Sequence, residues 1–289
     1  MRSNILSFEE IIRIVKIFAK LGVSKIRLTG GEPLLRKDIT TLISQLNSID
    51  NIKDIPISTN AHLLEKFALD LKKSGAQRLN ISLDSLDKKR FADITRDGDL
   101  TIVLQGIEKA LEVGLKVKIN MVVLENFNED EIENMLVFCQ NKKLELRFIE
   151  TMPIGSAGVK MMGSHYPKEK IIKRIEKYFN KTLTPIKSSS SSGPASMFQV
   201  DDFKVGIISA VSENFCSSCN RVRLTSKGRL ILCLGQENSI SLRDMIREGK
   251  NDTQITDKII QAISLKPEKH FFNENINHIE VRNMVSIGG

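Results

Sequence analysis

The chain has 289 residues, of which 41% are hydrophobic, so it can form one large domain or two ordinary ones around a sizeable core. It contains no apolar run of about 18 residues and no basic-then-apolar leader, so the sequence predicts neither a membrane span nor a secretory signal, and its four cysteines favour a reduced, cytoplasmic setting. A formal net charge of +8 favours an anionic partner, while the absence of tryptophan and the scarcity of tyrosine argue against a stacking surface for nucleic acid.

The first half of the chain alternates helical and extended patterns. A capping box at Ser7–Glu10 predicts the start of a helix that ends at Gly22. Further helices are predicted from Asp38 and over residues 61–74, 101–113 and 128–142. The five predicted strands are Lys25–Thr29, Ile55–Thr59, Arg78–Leu83, Val117–Val123 and Leu144–Glu150. Strands that alternate with helices predict right-handed parallel crossovers, and hence a βα barrel or an open α/β sheet.

Two features complicate a simple barrel. The chain begins with a helix, so either the sheet is open on that side or a first strand lies upstream of Met1. Around residue 155 the alternation ends, and a serine run over 188–192 predicts a flexible loop. Beyond it we predict antiparallel strands at Phe198–Val200 and Val205–Val211, and helices over 242–248 and 252–264. We therefore divide the chain into domains 1–154 and 155–289.

Three of the four cysteines form one compact motif. Cys216, Cys219 and Cys233 are spaced C-x2-C-x13-C around a turn at Lys227-Gly228. They could be buried apolar thiols, a zinc site with an outside fourth ligand, or ligands of a 4Fe–4S cluster with one open iron, and the C-x2-C turn favours the cluster. Cys139 differs, because its helical spacing from apolar residues predicts a core position.

Basic residues recur on several predicted strands. Arg221 and Arg223 alternate on the segment that leaves Cys219, so their side chains point to the same side. Arg27, Lys118 and Arg147 lie on three different predicted strands. If these three face one cavity, they need carboxylates or a phosphate ligand; alternatively they pair with acids such as Glu150 or reach water.

Small and polar residues follow three of the strands, where α/β folds carry their sites. Glycines at 30–31 indicate either a tight turn or a backbone that a ligand approaches closely. The hydroxyls of Ser58 and Ser82 cap the following helices or bind a ligand. Met152, just past the fifth strand, would by default belong to the core.

Together these segments resemble the molybdenum cofactor biosynthesis protein A family, the radical SAM GTP 3′,8-cyclases. The match runs from Leu6 to Gly289. The segments that carry it are Lys25–Arg36, Ser58–Asn60, Asn80–Asp84, Arg147–Pro153, Phe215–Leu224 and Gly288-Gly289. The resemblance implies an incomplete (β/α)6 barrel with two 4Fe–4S clusters at opposite ends, the second carried by a C-terminal α+β extension. We also expect an electron donor as partner, leave a homodimer open, and expect neither a nucleic acid nor a membrane.

The family's chemistry assigns roles to matching positions. The first cluster cleaves S-adenosylmethionine (SAM), and the resulting radical takes hydrogen from C3′ of GTP, whose ribose then attacks C8 of guanine in the first step of molybdopterin synthesis. The implied GTP contacts are Arg27, Ser58, Lys118, Arg147, Arg221 and Arg223, with Lys25 near the triphosphate. The implied SAM contacts are Gly31, Ser82 and Met152, and the implied ligands of the second cluster are Cys216, Cys219 and Cys233. Arg221, Arg223, Gly288 and Gly289 are the implied catalytic residues.

One departure from the family is large. Its N-terminal C-x3-C-x2-C motif is missing, since no cysteine precedes Cys139. We interpret this, with the missing first strand, as an N-terminal truncation, and we expect that the chain as printed does not cleave SAM. Two alternatives stay open: a non-catalytic GTP-binding remnant with one cluster, and a basic nucleic-acid binder with a structural zinc.

Overall fold

The computed structural model describes residues 4–186, 193–213, 216, 219–235 and 238–267. The helices in this part are α1 (Phe8–Lys20), α2 (Ile39–Asn47), α3 (Leu64–Lys73), α4 (Lys88–Thr95), α5 (Leu100–Glu112), α6 (Ile132–Asn141), α7 (Gly155–Met161), α8 (Lys168–Phe179), α9 (Leu242–Arg247) and α10 (Asp252–Ser264). The strands are β1 (Ile57–Thr59), β2 (Arg78–Ser82), β3 (Lys116–Val123), β4 (Glu145–Glu150), β5 (Thr184–Ile186), β6 (Ser196–Val200), β7 (Phe203–Ile208), β8 (Arg223–Leu224), β9 (Arg229–Ile231) and β10 (Ser239–Ser241). Among these helices, none combines the length and the apolar character that a membrane span requires.

The main sheet has seven strands in the order β1-β2-β3-β4-β7-β6-β5. Strands β1 to β4 and β7 are parallel, as the βα alternation predicted, and β6 and β5 are antiparallel additions. Because β7 pairs directly with β4, the sheet continues across residue 154, where we divided the sequence. A second, three-stranded sheet has the order β10-β9-β8, and its β8–β9 hairpin contains the predicted turn at Lys227-Gly228. The segment from Cys216 to Cys233 is here called the cysteine hairpin.

The strand predicted over Lys25–Thr29 is only partly formed. Residues 25–29 run parallel to the segment before β1 but make two isolated bridges, Lys25 to Asp54 and Leu28 to Ile57. The prediction of a continuous strand is therefore wrong. Leu28 N donates to Pro56 O. Pro56 has no N–H of its own, so it cannot donate a hydrogen bond to the carbonyl group that faces it on residues 25–29, and the ladder is interrupted between the two bridges.

Alternation along the strands gives the main sheet two different faces. One face is apolar and packs against the helices in a core that includes Ile57, Leu79, Ile81, Ile119 and Phe148. Fully burying a side chain of this size stabilises a fold by roughly 1.5–3 kcal/mol, so this face anchors the sheet. The opposite side, here called the polar face, consists of Ser58, Asn80, Ser82, Lys118, Asn120, Glu145 and Arg147.

Strand register arranges the polar face in two rows. Pairing puts Ser58, Asn80, Lys118 and Glu145 side by side across β1 to β4. A second row, one step nearer the carboxyl ends, contains Ser82, Asn120, Arg147 and Gly206 across β2, β3, β4 and β7. Residues far apart in sequence therefore become lateral neighbours.

A second core attaches the cysteine hairpin to the start of the chain. Apolar residues of α1, α9 and α10 pack around Leu230 and Leu232 of the hairpin, and Leu6 N donates to Ser226 O at 2.8 Å. The predicted capping box at Ser7 and Glu10 is confirmed, with both of its hydrogen bonds formed. The orientation of the hairpin thus depends on helix α1.

Glu150 is a buried junction at the end of β4, where it is 1% exposed. Its carboxylate accepts hydrogen bonds from Lys168 N at 2.7 Å, Ser212 N at 3.1 Å and Val211 N at 3.4 Å, and from the hydroxyl of Ser212. It therefore connects β4 to the start of α8 and to the turn after β7. Glu150 is not the partner of the polar-face cations, because a side-chain period of two directs it to the opposite face from Arg147.

We predict that Glu150→Gln destabilises the fold by about 2–4 kcal/mol, because an amide cannot accept from all of these donors and leaves buried N–H groups unpaired. Urea unfolding at pH 7 measures the change. Glu112→Gln is the control, since this side chain is 63% exposed in its pair with Lys109 and is worth under about 1 kcal/mol. Equal losses for the two variants would show that Glu150 is not a junction.

Candidate active site

Basic side chains converge on the polar face from three parts of the chain. The basic cluster consists of Lys25, Arg27, Arg78, Lys118, Arg147, Arg221 and Arg223. Arg27 lies within electrostatic reach of the four other arginines of this cluster, and Lys118 within reach of Arg147 and Arg78. The structure therefore brings together the five basic residues that the sequence assigned as GTP contacts with Lys25, expected near the triphosphate, and it adds Arg78.

The cluster has unfavourable electrostatics of its own. Burial, followed by the charges of Arg147 and the other arginines, lowers the pKa of Arg27 to about 10. Burial and the charge of Arg221 lower the pKa of Arg223 to about 10 as well. Both groups remain charged at neutral pH. Arg27 is exposed to solvent and Lys118, Arg221 and Arg223 are half-buried, so the cluster borders a water-accessible region, here called the recess. Its excess of positive charge favours an anion.

Two carboxylates offset part of this charge. Glu145 lies 2.5 Å from Lys118 Nζ and accepts from Arg147 Nε at 2.9 Å and Nη2 at 2.6 Å. Asp54 accepts from Arg78 Nε at 3.1 Å and Nη2 at 2.5 Å, with Lys25 Nζ at 3.4 Å. Burial alone would raise the pKa of Glu145, but Arg147 and Lys118 outweigh it and hold this pKa below its usual value. The seven cations of the cluster thus retain an excess over these two carboxylates.

Gly206 gives Arg147 its room. The two are register partners on β7 and β4. A methyl group added at Gly206 would come within 3.1 Å of Arg147 Cγ and 3.0 Å of Met197 Sδ. The absence of a side chain at this position therefore allows the guanidinium stem of Arg147 to lie flat along the sheet.

The Gly30–Pro33 loop is fixed at the carboxyl end of β1 by Glu32. Its carboxylate accepts from Leu34 N at 3.0 Å, from Thr59 Oγ1 at 2.8 Å and from Asn60 N at 2.7 Å. A methyl group at Gly30 would meet no atom of the described residues within 4 Å, so the loop borders space that those residues leave open. Gly31 belongs to this loop. The sequence analysis missed Glu32 as the residue that positions it, although a carboxylate beside two glycines at a strand end was the available signal.

The two predicted serines do not cap helices. Helix α3 begins after Leu63 without a side-chain cap, and Asp87 caps α4 by accepting from Arg90 N. The capping alternative for Ser58 and Ser82 is therefore wrong. Ser58 lies in the first row of the polar face, and Ser82 is exposed at the end of β2.

Met152 lies near the cysteine hairpin rather than in the main core. It is half-buried and packs in a small cluster with Ile154, Ile231 and Leu234. Because Leu234 is adjacent to Cys233, this cluster connects the end of β4 with the cysteine motif. Gly288 and Gly289 lie outside the described residues.

The four cysteines divide as the sequence predicted. Cys139 is buried, and burial raises its pKa to about 12, which confirms a core position. Cys216, Cys219 and Cys233 are half-buried, and Cys219 N donates to Cys216 O at 3.0 Å across the C-x2-C turn. Burial raises the pKa of Cys233, and negative charge at the other two thiols adds to the rise, so the three sulfurs are near neighbours.

The arrangement of these thiols does not decide the kind of metal site. Among the described residues, no three His, Cys, Asp or Glu side chains are arranged to hold a metal ion. The zinc and 4Fe–4S interpretations are therefore separated by metal analysis.

Lys266, which follows α10, holds the cysteine loop from outside. Its ammonium donates to Cys219 O at 2.8 Å and Arg221 O at 3.0 Å and lies 3.7 Å from Cys219 Sγ. These bonds fix the backbone between the second cysteine and the arginine pair. The sequence gave no local signal for this residue, because the contact spans 47 positions.

Comparisons with known proteins agree with this arrangement. The Radical SAM superfamily model matches residues 1–139, and the Molybdenum Cofactor Synthesis C model matches residues 144–272. A GTP 3′,8-cyclase of Hydrogenovibrio crunogenus is 50% identical over 287 residues, covering 98% of this chain and 87% of that protein. The chain belongs to the GTP 3′,8-cyclase family. A member from Marinobacter nauticus is 41% identical, and the match covers 100% of this chain and 88% of that protein. A member from Clostridium perfringens is 42% identical, and the match covers 99% of this chain and 88% of that protein.

A solved structure supports the fold of this GTP 3′,8-cyclase family member. Streptococcus suis SuiB bound to S-adenosylmethionine superposes with a TM-score of 0.63 over 98% of this chain and 70% of that chain, at 16% identity. The fold is therefore a radical SAM fold with mixed α/β content and a parallel sheet, as predicted at that level.

We predict a pH-dependent role for Glu145. Because its cationic neighbours hold its folded-state pKa low, its ion pairs stabilise the fold above the unfolded-state pKa of about 4.3 and are lost as the pH falls through the folded-state value. Glu145→Gln should unfold about 1–3 kcal/mol more easily than wild type at pH 7. Inorganic triphosphate should restore much of the loss.

Urea titrations of wild type and Glu145→Gln at pH 7, 4 and 3 test this. The difference between the two proteins should hold from pH 7 to about 4.3 and shrink at lower pH, as the ion pairs are lost. A difference that stays constant across the series would show that Glu145 acts by packing rather than by charge.

Proposed function

We propose that the chain acts as a GTP 3′,8-cyclase in the first step of molybdopterin synthesis, and that the basic cluster binds the triphosphate of GTP. The convergence of seven basic side chains on one recess carries this proposal. Burial and mutual repulsion lower the pKa of Arg27 and Arg223, and a bound polyanion would relieve that repulsion. Guanidinium groups bind phosphate oxygens bidentately, which gives orientation as well as affinity.

The remaining GTP contacts follow from the polar face. Lys118 and Arg147 are held side by side by Glu145, so their other N–H groups keep fixed directions. Arg221 and Arg223 leave the cysteine loop whose backbone Lys266 fixes. Ser58, in the first row, lies at the level of Lys118. The nucleotide would thus bridge the sheet and the hairpin.

We further propose that Cys216, Cys219 and Cys233 hold a 4Fe–4S cluster. Three half-buried, neighbouring thiols on one hairpin fit a three-thiolate site. Held in this way, the cluster would supply an open iron as a Lewis-acidic position for a nitrogen or oxygen atom of the substrate. The chain's own contribution is to hold the nucleotide beside it with Arg221 and Arg223.

We assign SAM to the carboxyl end of the sheet, with Gly31, Ser82 and Met152 as contacts. The open space beside the Gly30–Pro33 loop and the exposed hydroxyl of Ser82 support this assignment. The printed sequence has no cysteine before Cys139 and so offers no three thiols to the family's SAM-binding cluster. No step is assigned through that cluster.

Four finer features belong to the same proposal. The sheet would be an incomplete (β/α)6 barrel with the polar face inside, divided from a C-terminal α+β domain near residue 154. Gly288-Gly289 would reach the site as a tail. An electron donor would be the protein's redox partner, and a homodimer its assembly.

We expect Arg223→Gln to weaken GTP binding by about tenfold or more, since charge-assisted hydrogen bonds are worth on the order of 1.5–3 kcal/mol. Calorimetric titration with GTP, GDP and guanosine measures the loss, which should be largest for GTP. Arg229→Gln is the matched control, because Arg229 is an exposed arginine of the same hairpin that donates to Ser239 Oγ. The proposal fails if both variants bind GTP as wild type does.

Anaerobic iron–sulfide reconstitution tests the cluster. Wild type should retain roughly four irons per chain after gel filtration, and Cys233→Ser should lose them. Cys139→Ala should keep its iron although its core is weakened, because Cys139 is fully buried away from the motif. One zinc per chain in wild type would instead support a mononuclear structural site.

A further inference from the structure

Two amide side chains on the polar face have buried polar atoms without hydrogen-bond partners among the described residues. Asn80, on β2, is 1% exposed, and neither its Oδ1 nor its Nδ2 has a partner within the described residues. Asn120 Oδ1, on β3, is likewise buried without a partner there. Buried polar groups are nearly always satisfied, since leaving them unpaired costs free energy.

Their positions link the two proposed ligand sites. Register puts Asn80 between Ser58 and Lys118, both assigned to GTP. The same register puts Asn120 between Ser82, assigned to SAM, and Arg147, assigned to GTP. Both amides thus lie on the polar face, in the same rows as the side chains assigned to the two ligands.

A third asparagine shows how this fold treats a structural amide. Asn128 is fully buried, and its Nδ2 donates to Asp84 O at 2.8 Å and Val122 O at 2.9 Å. Its Oδ1 accepts from Leu124 N at 2.8 Å. Both polar atoms of the Asn128 side chain therefore form hydrogen bonds, whereas neither polar atom of Asn80 has a partner among the described residues.

We propose that Asn80 binds a ribose hydroxyl of a nucleotide ligand, with Asn120 Oδ1 accepting a second hydrogen bond from the same sugar. This inference rests on the proposed function and deepens it. The unpartnered carbonyls require a donor, which phosphate oxygens cannot supply, and the amide N–H₂ requires an acceptor. A hydroxyl provides both.

The neighbours of Asn80 favour ribose over the base. Lys118 beside it belongs to the phosphate-binding cluster, and in a nucleotide the sugar is the group that adjoins the phosphates. GTP and SAM both carry a ribose with two hydroxyls, so either ligand can supply this chemistry. Asn80 would then be a specificity-determining residue for the ribose.

The test compares Asn80→Leu with wild type and with Asn128→Leu. Without ligand, Asn80→Leu should be at least as stable as wild type, since an unsatisfied amide is replaced by an apolar group of similar size, whereas Asn128→Leu should be clearly less stable. The dissociation constant of the ligand that supplies the ribose should rise about tenfold in Asn80→Leu. If Asn80→Leu does not fold, Asn120→Leu carries the same comparison.

Deoxy analogues make the comparison decisive. Wild type should lose about tenfold in affinity from GTP to 2′-deoxy-GTP or 3′-deoxy-GTP, and Asn80→Leu should not distinguish them. SAM is the source of the ribose if Asn80→Leu loses affinity for SAM but not for GTP, and if the variant binds SAM and its deoxy-adenosyl analogues equally well.

Other results overturn the inference. If Asn80→Leu instead loses its discrimination between GTP and inosine triphosphate, Asn80 reads the base and not the sugar. If the variant binds both ligands as wild type does, a buried water satisfies the amide. Failure of wild type itself to bind GTP overturns the proposed function, which separates the two failures.

Discussion

The concentration of positive charge beside the polar face is the constraint on which the rest of this structure depends. Burial, followed by the charges of four other arginines, lowers the pKa of Arg27 to about 10. Neither Glu145 nor Asp54 removes this cost, because each is shared between two cations. The fold tolerates the recess only because the opposite face of the same strands packs an extensive apolar core.

Binding geometry then follows from how the two halves of the recess are held. The sheet half is fixed by register, with Glu145 aligning Lys118 and Arg147 and with Gly206 leaving space for the latter. The hairpin half is fixed by the second core on α1 and by Lys266 at the cysteine loop. Both halves are built on packed elements, so the arginines can keep their directions before a ligand arrives.

Much of the fold could be predicted from periodicity, because a side-chain period of two and glycines after helices are local signals. The partner of Arg147 also follows from that period: Glu145, two residues away, shares its face, whereas Glu150, the acid named in the sequence analysis, is three residues away and faces the helices. The break in the strand over 25–29 depended on Pro56, which is opposite only after pairing. Lys266 and the pairing of β7 with β4 required the tertiary fold.

The basic cluster and the two asparagines of the polar face, Asn80 and Asn120, both cost free energy in the ligand-free protein, one through charge repulsion and the other through missing hydrogen bonds. In the proposed function a nucleotide would offset that cost with phosphate oxygens or sugar hydroxyls. If stability alone determined the sequence, we would expect an apolar residue at position 80 and an uncharged residue at position 27. The stability lost at these positions in the ligand-free protein can be regained when a ligand binds. It then contributes to the free energy of binding. In the proposed function, a nucleotide would supply the partners that Asn80 and Asn120 Oδ1 lack among the described residues.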